Sequence, residues 1–141
     1  MKIFYLFFLI LLASCTAGID MKPVKYDNLF HDDNSKVWMI NKMIVNKKNL
    51  TSPDDVNKEV LIFYVDGTVQ YVPLKDLGTD QGNVGNYILQ SDDKSLAIYF
   101  KESIWDFKLK KITEDTIYMT SSKESDRNLS LEIVPLPKIL H

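Results

Sequence analysis

The chain has 141 residues, of which 45% are apolar and 11% aromatic, and this is enough for one hydrophobic core. Its 17 basic and 19 acidic residues give a formal charge of −2. That balance excludes the strongly basic surface typical of nucleic-acid-binding proteins. The single cysteine excludes an internal disulfide, so the fold must depend on its core alone.

The chain begins with a short apolar segment. Lys2 precedes an uninterrupted apolar run from Ile3 to Leu12. This is the pattern of a signal peptide, and it falls short of the ~20 apolar residues that a membrane-spanning helix needs. The run ends in the tetrapeptide Leu12-Ala13-Ser14-Cys15.

This tetrapeptide resembles the lipobox of bacterial lipoproteins. The resemblance implies that residues 1–14 are a signal peptide cut just before Cys15, whose thiol and new amine then carry fatty acyl chains such as palmitate. Such chains would anchor the protein stably to a membrane. The alternative is an ordinary secretory signal with a cysteine at the cut.

The residues after Cys15 give only a weak indication of where in a bacterial envelope the protein is sorted. Some bacteria send lipoproteins to the cell surface through acidic residues just after the acylated cysteine, and here only Asp20 precedes Lys22. We therefore predict the periplasmic face of the outer membrane, with the cell surface as the alternative.

Residues 15–35 are predicted to be a lipid-anchored tether. The segment is polar, contains Pro23 and ends in the turn-forming run of residues 31–35. Tyr26, Leu29 and Phe30 are too apolar for a pure spacer, so we expect the second half of the tether to pack on the domain that follows.

From residue 36 to residue 141 the pattern is that of β-strands. The clearest strand has Trp105, Phe107 and Leu109 alternating with charged residues, which is the period of a half-buried strand. Eight strands are predicted, at 37–46, 60–65, 68–74, 84–90, 96–101, 104–110, 117–120 and 129–133. The only competing helical signal is Ser52-Pro53-Asp54-Asp55, which predicts a turn or two of helix in the loop 50–58.

Eight strands with short connections predict an all-β fold, an antiparallel up-and-down barrel whose closure removes exposed sheet edges. The hairpin around Asp66-Gly67 admits two registers. A two-residue turn places Ile62 and Tyr64 on the face of Val69, whereas a three-residue turn places Leu61 and Phe63 there.

Under both registers the second predicted strand is apolar on both faces. One face must lie outside the barrel, where the tether, the C-terminal tail or a partner must cover it. The stripe formed by Val60, Ile62 and Tyr64 is therefore a candidate docking site for an outer-membrane protein partner.

The pattern from residue 36 to 134 resembles the lipocalin-like domains of small bacterial lipoproteins. The residues that carry the likeness are Trp38, the hairpin 63–68, Gly85-Asn86-Tyr87, Leu96-Ala97-Ile98, Trp105 and Leu129-Ser130-Leu131. The resemblance implies an eight-stranded calyx, and it favours the three-residue turn with Phe63 inward opposite Val69. Lipocalins proper carry glycine two residues before this tryptophan and a basic side chain from the last strand on its ring. Here Lys36 takes the glycine's place, and Arg127 comes only at the start of the last strand.

An eight-stranded barrel is just wide enough to be filled by its own side chains or to hold one small ligand. The predicted inward set is mostly large, which favours a mostly filled interior. The set is Trp38, Ile40, Leu61, Phe63, Val69, Tyr71, Tyr87, Leu89, Leu96, Ile98, Phe100, Trp105, Phe107, Leu109, Ile117, Met119, Leu129, Leu131 and Ile133. The candidate ligand contacts within it are Trp38, Phe63, Tyr71, Tyr87, Phe100, Trp105, Phe107 and Met119.

The residues of this chain give little support for a catalytic function. The two histidines, His31 and His141, lie outside the predicted strands, and acylation would consume Cys15. We therefore predict no enzyme, no cofactor and no metal site. Two functions remain: an accessory or structural binding subunit at the outer membrane, and a carrier or sensor of a small apolar ligand held in the barrel.

Overall fold

The computed structural model describes residues 25–52, 57–122 and 128–136. In chain order its elements are helix α1 (Asp27–His31), strands β1 (Ser35–Val45), β2 (Lys48–Asn49), β3 (Glu59–Tyr64) and β4 (Thr68–Pro73), a 3-10 turn (Leu74–Asp76), and strands β5 (Asn83–Gln90), β6 (Ser95–Tyr99), β7 (Ile104–Ile112), β8 (Ile117–Ser121) and β9 (Leu129–Pro135). The eight predicted strands are confirmed to within two residues at each end. Cys15 and the predicted helical turn at residues 53–56 lie outside the described residues.

The strands form one closed antiparallel barrel. From β3 to β9 each strand pairs with the next, and β1 pairs with both β3 and β9, which closes the sheet on itself. The two-residue β2 is an appendage on the end of β1. The predicted all-β, eight-stranded up-and-down barrel is therefore confirmed.

The β3–β4 hairpin has the three-residue turn. Phe63 pairs with Val69, and Val65, Asp66 and Gly67 form the connection with Gly67 at φ +93°. An Asp66 carboxylate oxygen accepts the Thr68 backbone N–H at 2.9 Å, and this bond, with a further one from the Thr68 side chain, lowers the pKa of Asp66. Glycine takes this left-handed conformation at little cost, so the three-residue turn accommodates the register in which Phe63 points inward.

The barrel interior is one hydrophobic cluster. All 19 residues predicted to point inward belong to it, either buried or packed against its buried members. This agreement follows from strand geometry, since alternate residues of each strand share a face. The structure adds five members that the strand pattern did not include: Tyr26, Phe30, Met43, Val45 and Ile112.

Helix α1 lies across one end of the barrel. Phe30 is fully buried, and its ring meets Phe63 edge-on at a centroid distance of 5.0 Å. The indole Nε1 of Trp38 donates to the Phe30 carbonyl at 3.1 Å, and the Tyr26 backbone N–H donates to Ser91 Oγ at 3.0 Å. The expected packing of Tyr26 and Phe30 on the domain is thus confirmed, because α1 and the residue before it supply part of the core.

A second, smaller cluster covers the outside of β1, β3 and β4. Its buried members are Met39, Val60, Ile62 and Val72. Leu74 and Leu77, from the 3-10 turn and the residue after it, pack on them, as does Leu136 at the start of the C-terminal tail. The chain itself therefore covers the outer stripe of β3.

Replacing the ring that closes the barrel should destabilise the whole domain. Phe30→Ala removes a fully buried side chain, and we expect a loss of about 3–5 kcal/mol in the free energy of unfolding, measured by urea denaturation. Tyr99→Ala is the matched control, since that ring is 41% exposed on the outside of the barrel. Equal losses for both variants would show that α1 does not belong to the core.

Candidate functional site

The two ends of the barrel differ. At one end α1 and the turns after β3, β5 and β7 come together, and here the interior is closed. At the other end β1 passes into β2 and β6 into β7. We call these the closed end and the mouth.

Aromatic rings fill the closed end. Phe63 lies between Phe30 and Tyr87, with centroid distances of 5.0 Å to each and edge-on geometry in both pairs. The Tyr87 hydroxyl donates to the Tyr64 carbonyl at 2.7 Å. Burial raises the pKa of Tyr87, and the nearby carboxylates of Asp27 and Asp66 raise it further. These ring contacts and the Tyr87 hydrogen bond are part of the core packing that closes this end.

Lys36 occupies the position where the resemblance implies glycine. Its ammonium lies 4.3 Å from the centroid of the Trp38 ring and 3.9 Å from an Asp32 carboxylate oxygen. The first strand itself therefore places a cation on the Trp38 ring. Such a contact contributes about 0.5–1 kcal/mol at a partly exposed site.

Three aromatic rings pack against one another near the mouth. Trp105 meets Tyr71 and Phe100 edge-on at 5.1 and 5.0 Å, and Tyr71 lies 6.2 Å from Phe100. Gly85 makes room for this arrangement: a Cβ there would collide with the Tyr99 carbonyl and lie 3.0 Å from the Phe100 ring. A glycine in the middle of β5 is thus required by close packing.

A small apolar pocket opens at the mouth. Its volume is about 250 Å³, below the 300–1,000 Å³ usual for ligand sites. It is lined by Met43, Val45, Leu50, Tyr71, Ile104, Trp105, Asp106, Phe107, Ser121 and Leu129. Only Tyr71, Trp105 and Phe107 of the eight predicted ligand contacts line it.

The other predicted contacts lie elsewhere. Trp38, Phe63 and Met119 are fully buried in the core. Tyr87 packs at the closed end, and Phe100 packs edge-on against Trp105. In the predicted partner stripe, Val60 and Ile62 are buried and only Tyr64 is partly exposed. The stripe therefore presents little surface to a partner.

Sequence reasoning missed Glu59. In the register of β3 it shares the inward face with Leu61 and Phe63, one step nearer the mouth. Its Oε2 atom is buried and has no hydrogen-bond partner among the described residues, and burial raises its pKa. The signal was present, because the three-residue turn already places residue 59 in phase with the core.

A larger groove lies on the outside of β5, β6, β7 and β8, with a volume of about 640 Å³. We call it the outer groove. Its lining is Ile88, Gln90, Asp93, Ser95, Ala97, Tyr99, Asp106, Lys108, Lys110, Thr120, Ser121 and Ser122. In the sequence, Lys108 and Lys110 are charged residues that alternate with Phe107 and Leu109.

The described ranges contain few other features that indicate a function. No group of three or more His, Cys, Asp and Glu side chains in these ranges is arranged to hold a metal ion. His31 is buried, and its Nδ1 accepts the Asp33 backbone N–H at 3.0 Å, which fits a structural role. None of the helices within residues 25–52, 57–122 and 128–136 is long and apolar enough to cross a membrane.

Comparison of the chain with models of protein families and with curated proteins finds no match.

The buried carboxyl should make stability depend on pH. Because the folded state raises the pKa of Glu59, it binds the proton more tightly than the unfolded chain, and stability is lost as pH rises above 4.5. We expect Glu59→Gln to unfold at higher urea concentration than the wild type at pH 7, and at nearly the same concentration at pH 4. Glu102→Gln, in the exposed β6–β7 turn, should change neither value. A Glu59→Gln variant less stable than the wild type at pH 7 would contradict this assignment.

Proposed function

We propose that this chain is a lipid-anchored envelope lipoprotein whose barrel is a non-catalytic, accessory binding subunit at the outer membrane, acting through the outside of the barrel. The observation that supports this most directly is the filled interior. Side chains from the strands and from α1 occupy it, and one end is closed by aromatic rings. A barrel so filled has little volume left for cargo.

The proposed anchor rests on the lipobox-like Leu12-Ala13-Ser14-Cys15. Between Cys15 and Lys25, the first described residue, a fully extended chain spans roughly 30–35 Å. That span limits the distance between the membrane and Lys25. The periplasmic face of the outer membrane is our preferred location, and the cell surface is the alternative.

Changing the acylated residue should remove the acyl chains. In the native host we expect the wild-type protein to carry the mass of the acyl chains at Cys15, and Cys15→Ser to lack it. Ser14→Ala is the matched control, because a small residue remains before the cysteine. A wild-type protein whose mass carries no acyl chains would refute the lipid anchor.

The mouth pocket favours a second candidate, a carrier of a small apolar ligand. Tyr71, Trp105 and Phe107 provide an apolar, aromatic lining there. With about 250 Å³, the pocket suits one end of a short aliphatic or aromatic molecule rather than a whole drug-sized ligand.

Native mass spectrometry separates the two candidates. From Cys15→Ser protein purified gently from its own host, we expect the bare protein mass, because the interior is occupied by side chains. A stoichiometric small-molecule adduct that Trp105→Ala removes and Val84→Ala retains would establish the carrier instead. Val84 is 60% exposed on the outside of the barrel, so it serves as the control.

A further inference from the structure

We propose that the outer groove binds a neutral, hydroxyl-rich glycan chain. Binding on the outside of the barrel is part of the proposed function, on which this assignment rests. The ligand class follows from the shape of the groove, its charge balance and its residue types.

Strand pairing shapes the outer groove into a trough along β6. In one cross-strand row Ala97 lies between Ile88 on β5 and Asp106 on β7. In the next row Ser95 lies in the same way between larger side chains, Gln90 and Lys108. Small residues therefore form the floor and larger ones the walls, and a trough along a strand fits a linear chain.

The two ends of the trough differ in chemistry. Tyr99, on the same outward face of β6 as Ser95 and Ala97, presents a ring that is 41% exposed at the end nearer the mouth. At the other end Asp93 belongs to the β5–β6 turn. An exposed ring offers an apolar face with a polar tip, which matches the apolar face and the hydroxyl rim of a sugar.

The charges in the lining cancel. Asp93 and Asp106 balance Lys108 and Lys110, so the lining has no net charge. A polyanion such as a nucleic acid is bound through an excess of cations, which the outer groove lacks. Charge complementarity therefore favours a neutral ligand.

The residue types argue against a protein partner. Protein interfaces are depleted in Lys, Asp, Ser and Ala, and these types supply most of the lining. The same set is well suited to hydroxyl groups: carboxylates accept, ammonium groups donate, and Gln90 and the Ser and Thr hydroxyls can do both. A chain of sugar hydroxyls needs this mixture of donors and acceptors.

One lining group still needs a partner. Ser122 Oγ is buried without a hydrogen-bond partner in the part of the chain that the structure describes. A buried hydroxyl left unpaired destabilises the folded state. A ligand hydroxyl, or a water held beneath the ligand, would satisfy it.

The test is an NMR titration of ¹⁵N-labelled Cys15→Ser chain, which keeps every described residue, with three neutral probes: cellotetraose, maltotetraose and chitotetraose. We expect at least one probe to bind saturably, with a Kd no weaker than about 5 mM and amide shifts confined to β5–β8. Asp106→Asn and Tyr99→Ala should each weaken binding at least tenfold. Val84→Ala, outside the groove on β5, should leave the Kd unchanged.

Several outcomes would overturn the assignment. These are no response to any probe at about 10 mM, shifts centred on the mouth residues Met43 and Leu129, or tighter binding of a sulfated oligosaccharide than of the neutral probes. The proposed function is judged separately by the bare mass in native mass spectrometry and by the acyl mass at Cys15. If those two results hold and the titration fails, binding on the outside of the barrel remains and the glycan is excluded.

Discussion

The width of an eight-stranded barrel is the constraint on which the rest of this structure depends. A barrel of this size encloses only enough space for its own side chains or one small ligand. In this chain the inward positions of most strands carry Leu, Ile, Phe, Trp or Met, and these side chains occupy the space. Core packing therefore leaves little free volume inside the barrel apart from the pocket at the mouth.

Closure of the barrel at one end further limits access to its interior. The Trp38 indole binds the Phe30 carbonyl, and the Phe30 ring packs on Phe63, so a short helix outside the sheet becomes part of the core. The mouth lacks such a plug among the described residues, and there the aromatic group of Tyr71, Phe100 and Trp105 leaves a pocket of about 250 Å³. Glu59, the one carboxyl in phase with the inward face of β3, lies toward this less enclosed end.

Barrel closure also removes every free sheet edge from the eight principal strands, so a partner must bind to a face. The outside of β1, β3 and β4 is already covered by the chain, with Val60 and Ile62 buried under Leu74, Leu77 and Leu136. The outside of β5–β8 is open, because the small residues Ser95 and Ala97 lie between larger neighbours. The two faces differ in side-chain size and in the course of the connecting chain, not in backbone geometry.

The sequence by itself determined the strands, the inward face of each and the filled core, because a period of two assigns alternate residues to one side wherever one side is buried. It left the register at Asp66-Gly67 undecided on propensity alone, since both turns suit the same residues and only the packing of Phe63 between Phe30 and Tyr87 separates them. It also could not show that Leu136 covers Val60 and Ile62, or that Asp93, Tyr99 and Ser122 line one groove with Lys108. Those groupings join residues far apart in the chain, and only barrel closure and the register between strands bring them together.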